Sequence, residues 1–323
     1  MVEFETLVNP PQEVFDQIVK YTSETEDWAS QTGDYKLWLS SYDQFWLVTV
    51  VEKGLKYTTS GNYIYHLGTT NFVASVSLAR WDGDDGPLFS IGMFYCVPKY
   101  RGTGLGKPLF QYVMDIVGDN NATLTGVVKM SPKYASDFGF DKYPEHWHLF
   151  SSAKCAEMVI PDKVSENYTT KLWSDVDYVE LTAYDRTICV RNRKKIMSAW
   201  FNSVDTFSRV VLDKSGKIVG YATVRLVLKN RLSPAPFYAD NLEAAEVLLK
   251  DLLIMIPDWQ QYASFGFLYP ECNKDPFEVL NKFSKRREAI STSRFIRSQF
   301  TRELISTPDN KVYSLSDIAH QFV

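Results

Sequence analysis

The segment CVPKYRGTGLGKPLFQYVMDIV, residues 96–117, is the most informative part of this chain. It continues the apolar run at residues 88–97, which predicts a central strand that is covered on both faces. Beyond the glycines, apolar residues recur at helical spacing, so a helix is expected to begin at Lys107, with Pro108 tolerated in its first turn. A strand that enters a glycine turn and leaves as a helix directs main-chain N–H groups and the positive end of the helix dipole at one point. The segment therefore predicts an anion site, with Arg101 adding positive charge.

The spacing of the glycines separates the known kinds of phosphate loop. A Walker loop requires Gly-x-x-x-x-Gly-Lys-Ser/Thr, whereas here Arg101 takes the first position and Pro108 follows the lysine. The dinucleotide fingerprint requires Gly-x-Gly-x-x-Gly, but Gly102, Gly104 and Gly106 give Gly-x-Gly-x-Gly. ATP hydrolysis and a Rossmann cofactor are disfavoured. The remaining alternatives are an Arg-x-x-Gly-x-Gly phosphate loop and a plain turn that links strand to helix.

Two motifs carry a family resemblance. The loop RGTGLG, residues 101–106, within VPKYRGTGLG, resembles the acyl-CoA pyrophosphate loop of the GNAT superfamily of N-acetyltransferases. Downstream, SPKYASDFGF at residues 131–140 resembles the end of that domain, so the resemblance covers roughly residues 1–150. It implies an α/β fold, a mixed (α+β) central sheet flanked by helices, and acetyl-CoA or another short acyl-CoA as donor. The donor-binding residues that it implies are Phe94, Tyr95, Cys96, Val97, Arg101, Gly102, Thr103, Gly104, Leu105, Gly106 and Lys107.

The resemblance also implies direct acyl transfer to an amine, with a tyrosine as general acid for the leaving thiolate. Tyr134 is the nearest match, although it stands six residues before Phe140, where the family pattern has five, and Ala135 takes the expected place. The strand at residues 88–97 offers no carboxylate as base, and His66 is the candidate that acts through a water, because imidazole titrates near neutral pH. A packed or surface histidine is the alternative. A covalent route through Cys96 is disfavoured, since no histidine partner is recognisable in the sequence.

The second half repeats the same order of elements. A helix is predicted at residues 191–204, a hairpin at 209–228 and a strong helix from 242, similar to the C-terminal domain of tandem GNAT proteins. The position equivalent to the glycine loop carries Asp240 and Glu243, which are expected to cap the helix and repel a diphosphate. We therefore expect one acyl-CoA site, in the first half, and a degenerate second copy that serves as scaffold, dimer surface or wall of the acceptor pocket. The predicted division is a domain at residues 1–150, a linker at 151–176 and a domain at 177–323.

Composition limits the partners. The net charge of −4 gives no field that would collect polyanions, so nucleic acid is disfavoured. Four scattered cysteines without a CxxC pair indicate reduced thiols, and no apolar run approaches the roughly 18 residues of a membrane span. A cytoplasmic protein without a membrane partner is expected, and homodimerisation is left open.

Two further patterns are candidate binding sites. His146-x-His148 has strand spacing but no third ligand near it in sequence, so no metal site is predicted. Six cations lie between Lys285 and Arg302. They suit a site for the CoA 3′-phosphate, a site for RNA or a solvated face, and the solvated face is favoured.

The expected function is acyl-CoA-dependent N-acetyltransfer to a small amine in the first half. A catalytically silent acyl-CoA-binding or scaffold protein, and an acetyltransferase acting on protein lysines or N-termini, remain the alternatives.

Overall fold

The computed structural model describes residues 3–53 and 70–323, and these form a mixed sheet flanked by helices, which confirms the predicted fold class. His66, the candidate base, lies outside the described residues. The elements of the first half are β1 (Glu3–Val8), α1 (Gln12–Glu26), α2 (Asp34–Ser41), β2 (Gln44–Lys53), β3 (Thr70–Trp81), β4 (Leu88–Cys96), α3 (Gly106–Val117), β5 (Asn121–Val127) and α4 (Ser131–Phe138).

The remaining elements repeat this order between residues 168 and 282, with one strand before and two strands after the repeat. They are β6 (His148–Ala153), β7 (Tyr168–Lys171), α5 (Tyr178–Arg186), α6 (Lys194–Phe201), β8 (Thr206–Asp213), β9 (Ile218–Val227), β10 (Arg231–Ala239), α7 (Leu242–Met255), β11 (Phe265–Pro270), α8 (Asp275–Lys282), β12 (Ser291–Phe300) and β13 (Val312–Ser314). The predicted hairpin is the β8–β9 pair, and the strong second-half helix is α7.

One sheet runs through both halves in the order β1-β2-β3-β4-β5-β12-β6-β11-β10-β9-β8-β7, with β13 beside β10. In each half a parallel pair, β4 with β5 and β10 with β11, follows three antiparallel strands. The predicted repeat of the elements is therefore confirmed at the level of the sheet.

The halves exchange a strand where they meet. Strand β6 follows the first half in sequence but pairs with β11, whereas β12 follows the second half and pairs with β5. The two exchanged strands also pair with each other. The predicted boundary at residue 150 falls inside β6, and the predicted linker at 151–176 carries β7. No helix within residues 3–53 and 70–323 is long and apolar enough to cross a membrane.

Helices cover both faces of the first-half sheet. On one face, α3 buries Leu109, Phe110 and Val113 against the sheet. On the other face, α1 and α2 bury Phe15 and Trp38 in a core that continues into α5 and α6 of the second half. Burial of each such side chain contributes roughly 1.5–3 kcal/mol, so this shared core fixes the two halves relative to each other.

A buried ion pair reinforces the joint. Asp34 on α2 pairs with Arg225 on β9, and each side chain is only 4% exposed. The Arg225 guanidinium also lies 4.1 Å from the centre of the Trp200 ring. Because an unpaired buried charge is strongly destabilising, this pair disfavours separation of the halves.

Candidate active site

Strands β4 and β5 open into a cleft. They pair in parallel from Leu88 with Asn121 to Ile91 with Leu124 and no farther. Beyond these residues β4 pairs with β3 alone, while β5 pairs with β12. Main-chain groups that face the opening are therefore released from the sheet and are available to a ligand.

A β-bulge lies where the cleft begins. Ser77 pairs with Gly92 and Ser75 pairs with Tyr95, so two residues of β4 stand opposite one residue of β3. The first of the two, Met93, has φ 47°, and its carbonyl accepts a hydrogen bond of 2.7 Å from Ser75 Oγ. A bulge re-aims the strand that follows it and is common next to active sites. Here it turns the end of β4 away from β5.

The four predicted donor-binding residues of this strand, Phe94 to Val97, fall into two pairs. Val97 N–H donates to Val73 O at 2.9 Å, and Tyr95 pairs with Ser75. Because neighbouring residues of a strand direct their main-chain groups to opposite sides, Phe94 and Cys96 face the cleft. The geometry thus favours Phe94 and Cys96 as main-chain contacts and assigns Tyr95 and Val97 to the sheet.

The glycine loop at residues 101–106 connects this strand to α3. Gly102 and Gly104 have φ 79° and 89°, and no atom lies within 4 Å of a Cβ built on either. Helix α3 begins without a side-chain cap and with no acidic residue in its first turn. Uncapped N–H groups and the helix dipole favour an anion there. Lys107 is exposed, with no ion pair to any residue in the described part of the chain.

Arg101 ties the loop to the end of α1. Its Nη2 lies 2.5 Å from Glu26 Oε1, and its Nε donates to the carbonyl of Cys96 at 2.9 Å. Glu26 is the main cause that raises the pKa of the guanidinium. The side chain therefore positions the loop as well as adding charge. Sequence reasoning missed Glu26, because no local signal links it to a loop so far along the chain.

Sequence reasoning also missed a carboxylate beside the start of the loop. Glu52 on β2 accepts a hydrogen bond of 2.5 Å from Tyr100 Oη, and Lys99 Nζ lies 3.6 Å from the same oxygen. These contacts hold the turn before Arg101 against the sheet.

Tyr134 lies beside the cleft. Its ring stacks on Phe110, with the ring centres 5.6 Å apart, and meets Phe94 at 6.3 Å. The hydroxyl makes no hydrogen bond to a residue of the described ranges, and burial raises the pKa of Tyr134, so the phenol is protonated at neutral pH. It can therefore act as a proton donor.

Burial also governs the Cys96 thiol. The side chain is half-buried, and burial raises the pKa of Cys96 more than Arg101 lowers it. A protonated thiol is a poor nucleophile, which agrees with the preference for direct transfer.

A segment from the other end of the chain covers the opposite face of β4. A Cβ at Gly92 would lie 2.1 Å from the carbonyl oxygen of Ala319, so only glycine permits this contact. His320 is fully buried, with Nε2 3.1 Å from Ser77 Oγ. Thr125 Oγ1 donates to Ile318 O at 2.6 Å. Residues 318–320 thus narrow the cleft on the side opposite α3.

The second half lacks an equivalent loop. The cap of α7 is the Asn241 side chain, which accepts the Ala244 N–H at 3.0 Å, so the prediction that Asp240 and Glu243 cap this helix was wrong. Asp240 instead pairs with Lys311 at 2.9 Å, and Glu243 accepts from Ser165 Oγ at 2.7 Å. Asn241 stands at the N-cap position, so its amide reaches a helix N–H group, while both carboxylates find partners outside the helix.

The basic stretch at residues 285–302 makes many internal contacts. Arg294 and Arg302 pair with Glu271 and Asp119, at 3.0 and 2.7 Å. Arg297 lies 3.6 Å from the centre of the Tyr143 ring. These contacts support the prediction that this stretch forms a solvated face.

Comparisons with known proteins agree with this geometry. Residues 181–257 match the family model of an acetyltransferase (GNAT) domain. An uncharacterized protein of Caenorhabditis elegans is 25% identical over 260 residues, which cover 77% of this chain and 76% of that protein. The matched family segment lies in the second half, so the glycine loop falls outside it.

Two solved structures resemble the whole chain. A proposed acetyltransferase from Pyrococcus horikoshii is 13% identical and superposes with a TM-score of 0.65, covering 98% of this chain and 95% of that one. A tandem GNAT protein from the clavulanic acid biosynthesis pathway is 11% identical, with a TM-score of 0.63, and covers 98% of this chain and 100% of its own. At such identities the likeness concerns the fold.

Proposed function

We propose that this chain is a tandem GNAT protein whose first half transfers an acetyl or other short acyl group from CoA to a small amine. One observation carries the proposal: an exposed loop with two glycines at positive φ leads into an uncapped helix at the mouth of the β4–β5 cleft. That combination suits a donor with a diphosphate at one end and an extended chain at the other.

The donor follows the cleft. The pyrophosphate lies on the main-chain N–H groups between Gly102 and Lys107, and the pantetheine runs along the main chain of Phe94 and Cys96. This places the thioester carbonyl near the bulge at Met93, where a released N–H group stabilises the oxyanion. Alignment of amine and thioester accounts for most of the rate enhancement, because a bimolecular step becomes effectively unimolecular.

The reaction is a direct displacement. The neutral amine attacks the thioester carbon, the C–N bond forms, and the C–S bond breaks as the tetrahedral intermediate collapses. Tyr134 gives a proton to the leaving thiolate, since its hydroxyl is protonated and has no partner among the described residues. The proton lost by the amine passes to water or to His66, which lies outside the described residues.

The covering segment supports a small acceptor. Residues 318–320 bond to three strands of the first-half sheet, through Thr125, Ser90 and Ser77. A long peptide would have to displace this segment, whereas a small amine enters beside it. The aromatic pair Trp28 and Tyr95, with ring centres 6.2 Å apart, offers an apolar wall at that side.

A catalytically silent acyl-CoA-binding protein is the second candidate. The observation in its favour is the burial of Tyr134 in the same core as Phe110, a packing role that is sufficient by itself to explain the residue. Both candidates share the donor site and differ only in turnover. Thiol release in the presence of amines therefore separates them.

Reversing the charge of Arg101 is expected to weaken acetyl-CoA binding at least tenfold. Arg101→Glu places a carboxylate beside Glu26 and beside the diphosphate, so the loop loses its anchor and the donor meets repulsion. Isothermal calorimetry measures the change. Arg302→Glu is the matched control, because Arg302 is also an exposed, ion-paired arginine but lies at the other end of α3. Full-strength binding by Arg101→Glu would contradict the donor site.

Tyr134→Phe is expected to lower kcat roughly 10²-fold, the lower end of what a general acid contributes, and to leave the Kd for acetyl-CoA unchanged. The fold is preserved because the ring packing remains and no hydrogen bond to a described residue is lost. Tyr112→Phe, at an exposed tyrosine on α3, is the control. An unaltered kcat would exclude Tyr134 from the mechanism and leave it a packing residue.

A further inference from the structure

Three residues with metal-binding side chains meet at one edge of the second-half sheet. His146 precedes β6, Cys272 follows β11, and Asp309 precedes β13. Strands β6 and β11 are antiparallel, and Pro270 pairs with His148, so the chain two residues beyond each partner reaches the same point. The sequence offers no third ligand near His146, whereas in the folded chain strand pairing brings Cys272 and Asp309 beside it.

The three ligand atoms have the spacing of a coordination site. His146 Nε2 lies 3.3 Å from Asp309 Oδ2, Cys272 Sγ lies 3.7 Å from the same oxygen, and all three atoms are within 4.8 Å of one another. With Zn–N and Zn–O near 2.0–2.1 Å and Zn–S near 2.3 Å, the edges of a tetrahedron are about 3.3–3.6 Å. We propose that His146, Cys272 and Asp309 bind one zinc ion, with a water in the fourth position.

The surroundings of the cluster support this assignment. Thr307 Oγ1 donates to Asp309 Oδ1 at 2.6 Å and so orients the carboxylate, as groups behind a metal ligand commonly do. Asn273 Nδ2 donates to the carbonyls of Asp309 and Val312, at 3.2 and 3.1 Å, which fixes the approach of this segment to Cys272. The site is therefore held by hydrogen bonds outside the ligands themselves.

An unpaired buried nitrogen lies in the same cavity. His148 is 3% exposed, its Nδ1 has no hydrogen-bond partner among the described residues, and it lines an open cavity of about 120 Å³ together with His146 and Asp309. A buried nitrogen without a partner is costly. A water bound to the zinc ion would supply the missing hydrogen bond.

The ligand types select the kind of metal. One imidazole, one thiolate and one carboxylate suit zinc or cobalt, whereas calcium and magnesium prefer oxygen ligands alone. A cysteine ligates zinc as the thiolate, so the zinc ion displaces the thiol proton of Cys272 when it binds. The negative charges of the Cys272 thiolate and the Asp309 carboxylate then balance the two positive charges of the zinc ion. Its structural effect is to join β6 and β11 to the segment that enters β13.

Titration of the full-length, untagged, reduced protein with Zn²⁺ against a chromogenic chelator tests the proposal. One equivalent of Zn²⁺ is expected to bind with a Kd below about 1 μM, so that the protein competes with the chelator for the ion. Co²⁺ is expected to give tetrahedral d–d bands together with a thiolate charge-transfer band. His146→Gln, Cys272→Ser and Asp309→Asn should each weaken zinc binding by at least tenfold. None of these three substitutions should unfold the chain, since Cys272 is exposed and His146 and Asp309 are only partly buried.

Cys96→Ser is the matched control, because Cys96 is a partly exposed thiol in another part of the fold. It should bind zinc like the wild type. The proposal is overturned if the wild-type chain does not compete with the chelator for zinc, or if Cys272→Ser binds the ion as tightly as the wild type does. The readout is independent of acyl transfer.

Discussion

Replacing both Gly102 and Gly104 by alanine is expected to weaken acetyl-CoA binding roughly 10³-fold. Both residues have positive φ, where an added Cβ destabilises the backbone by about 1–2 kcal/mol per residue. The variant loop therefore relaxes to another conformation. Binding of the donor must reverse this change. The added methyl groups also enter space that is now open and that a phosphate would occupy. Calorimetry with acetyl-CoA measures the loss.

Gly216→Ala is the matched control for this double variant. Gly216 has φ 84°, and no atom lies within 4 Å of a Cβ built on it, but it turns the β8–β9 hairpin in the second half. It should lower the melting temperature through the same backbone cost and leave the affinity for acetyl-CoA unchanged. Equal affinities for the wild type and the Gly102/Gly104 variant would contradict the assignment of the loop.

Arg193→Met is expected to lower the free energy of unfolding by roughly 3–5 kcal/mol, the usual cost of breaking a buried ion pair. Arg193 is 3% exposed and binds Asp185 through Nη2 at 2.5 Å and through Nε at 3.1 Å. It also donates to Tyr238 Oη at 3.1 Å. Methionine preserves much of the volume but leaves the buried carboxylate without its counter-ion. Urea denaturation followed by circular dichroism gives the change.

Arg294→Met supplies the comparison. Arg294 pairs with Glu271 at 3.0 Å, but its side chain is 57% exposed, so the expected loss is below about 1 kcal/mol. If both variants lost the same small amount, the Asp185–Arg193 pair would not be a stability element of the second-half core.

Local periodicity was sufficient for most elements. The continuous apolar run of β4, the helical spacing of α3 and the hairpin pattern of β8 and β9 each predicted an element that lies where the pattern placed it. Strand β1 was missed because an edge strand with only one covered side carries little apolar signal. The exchange of β6 and β12 had no local signal at all, since it is decided by pairing between distant segments.

The same distinction applies to the site. The glycine loop was predictable, because residues that are adjacent in the sequence determine its backbone conformation and the start of the helix. The ion pair of Arg101 with Glu26, the covering of Gly92 by Ala319 and the meeting of His146 with Cys272 depend on the folded sheet. Long-range contacts of this kind leave no spacing pattern in the sequence, so the positioning groups could not be predicted.

Acyl transfer from CoA is the activity that we propose for the first-half cleft. The most direct measurement is thiol release from acetyl-CoA across a panel of small amines, with the wild type and the Gly102/Gly104 alanine variant side by side. We expect release above the amine-free background with at least one amine in the wild type and none in the variant. Binding of acetyl-CoA without release for every amine, or equal release by the two proteins, would contradict the claim.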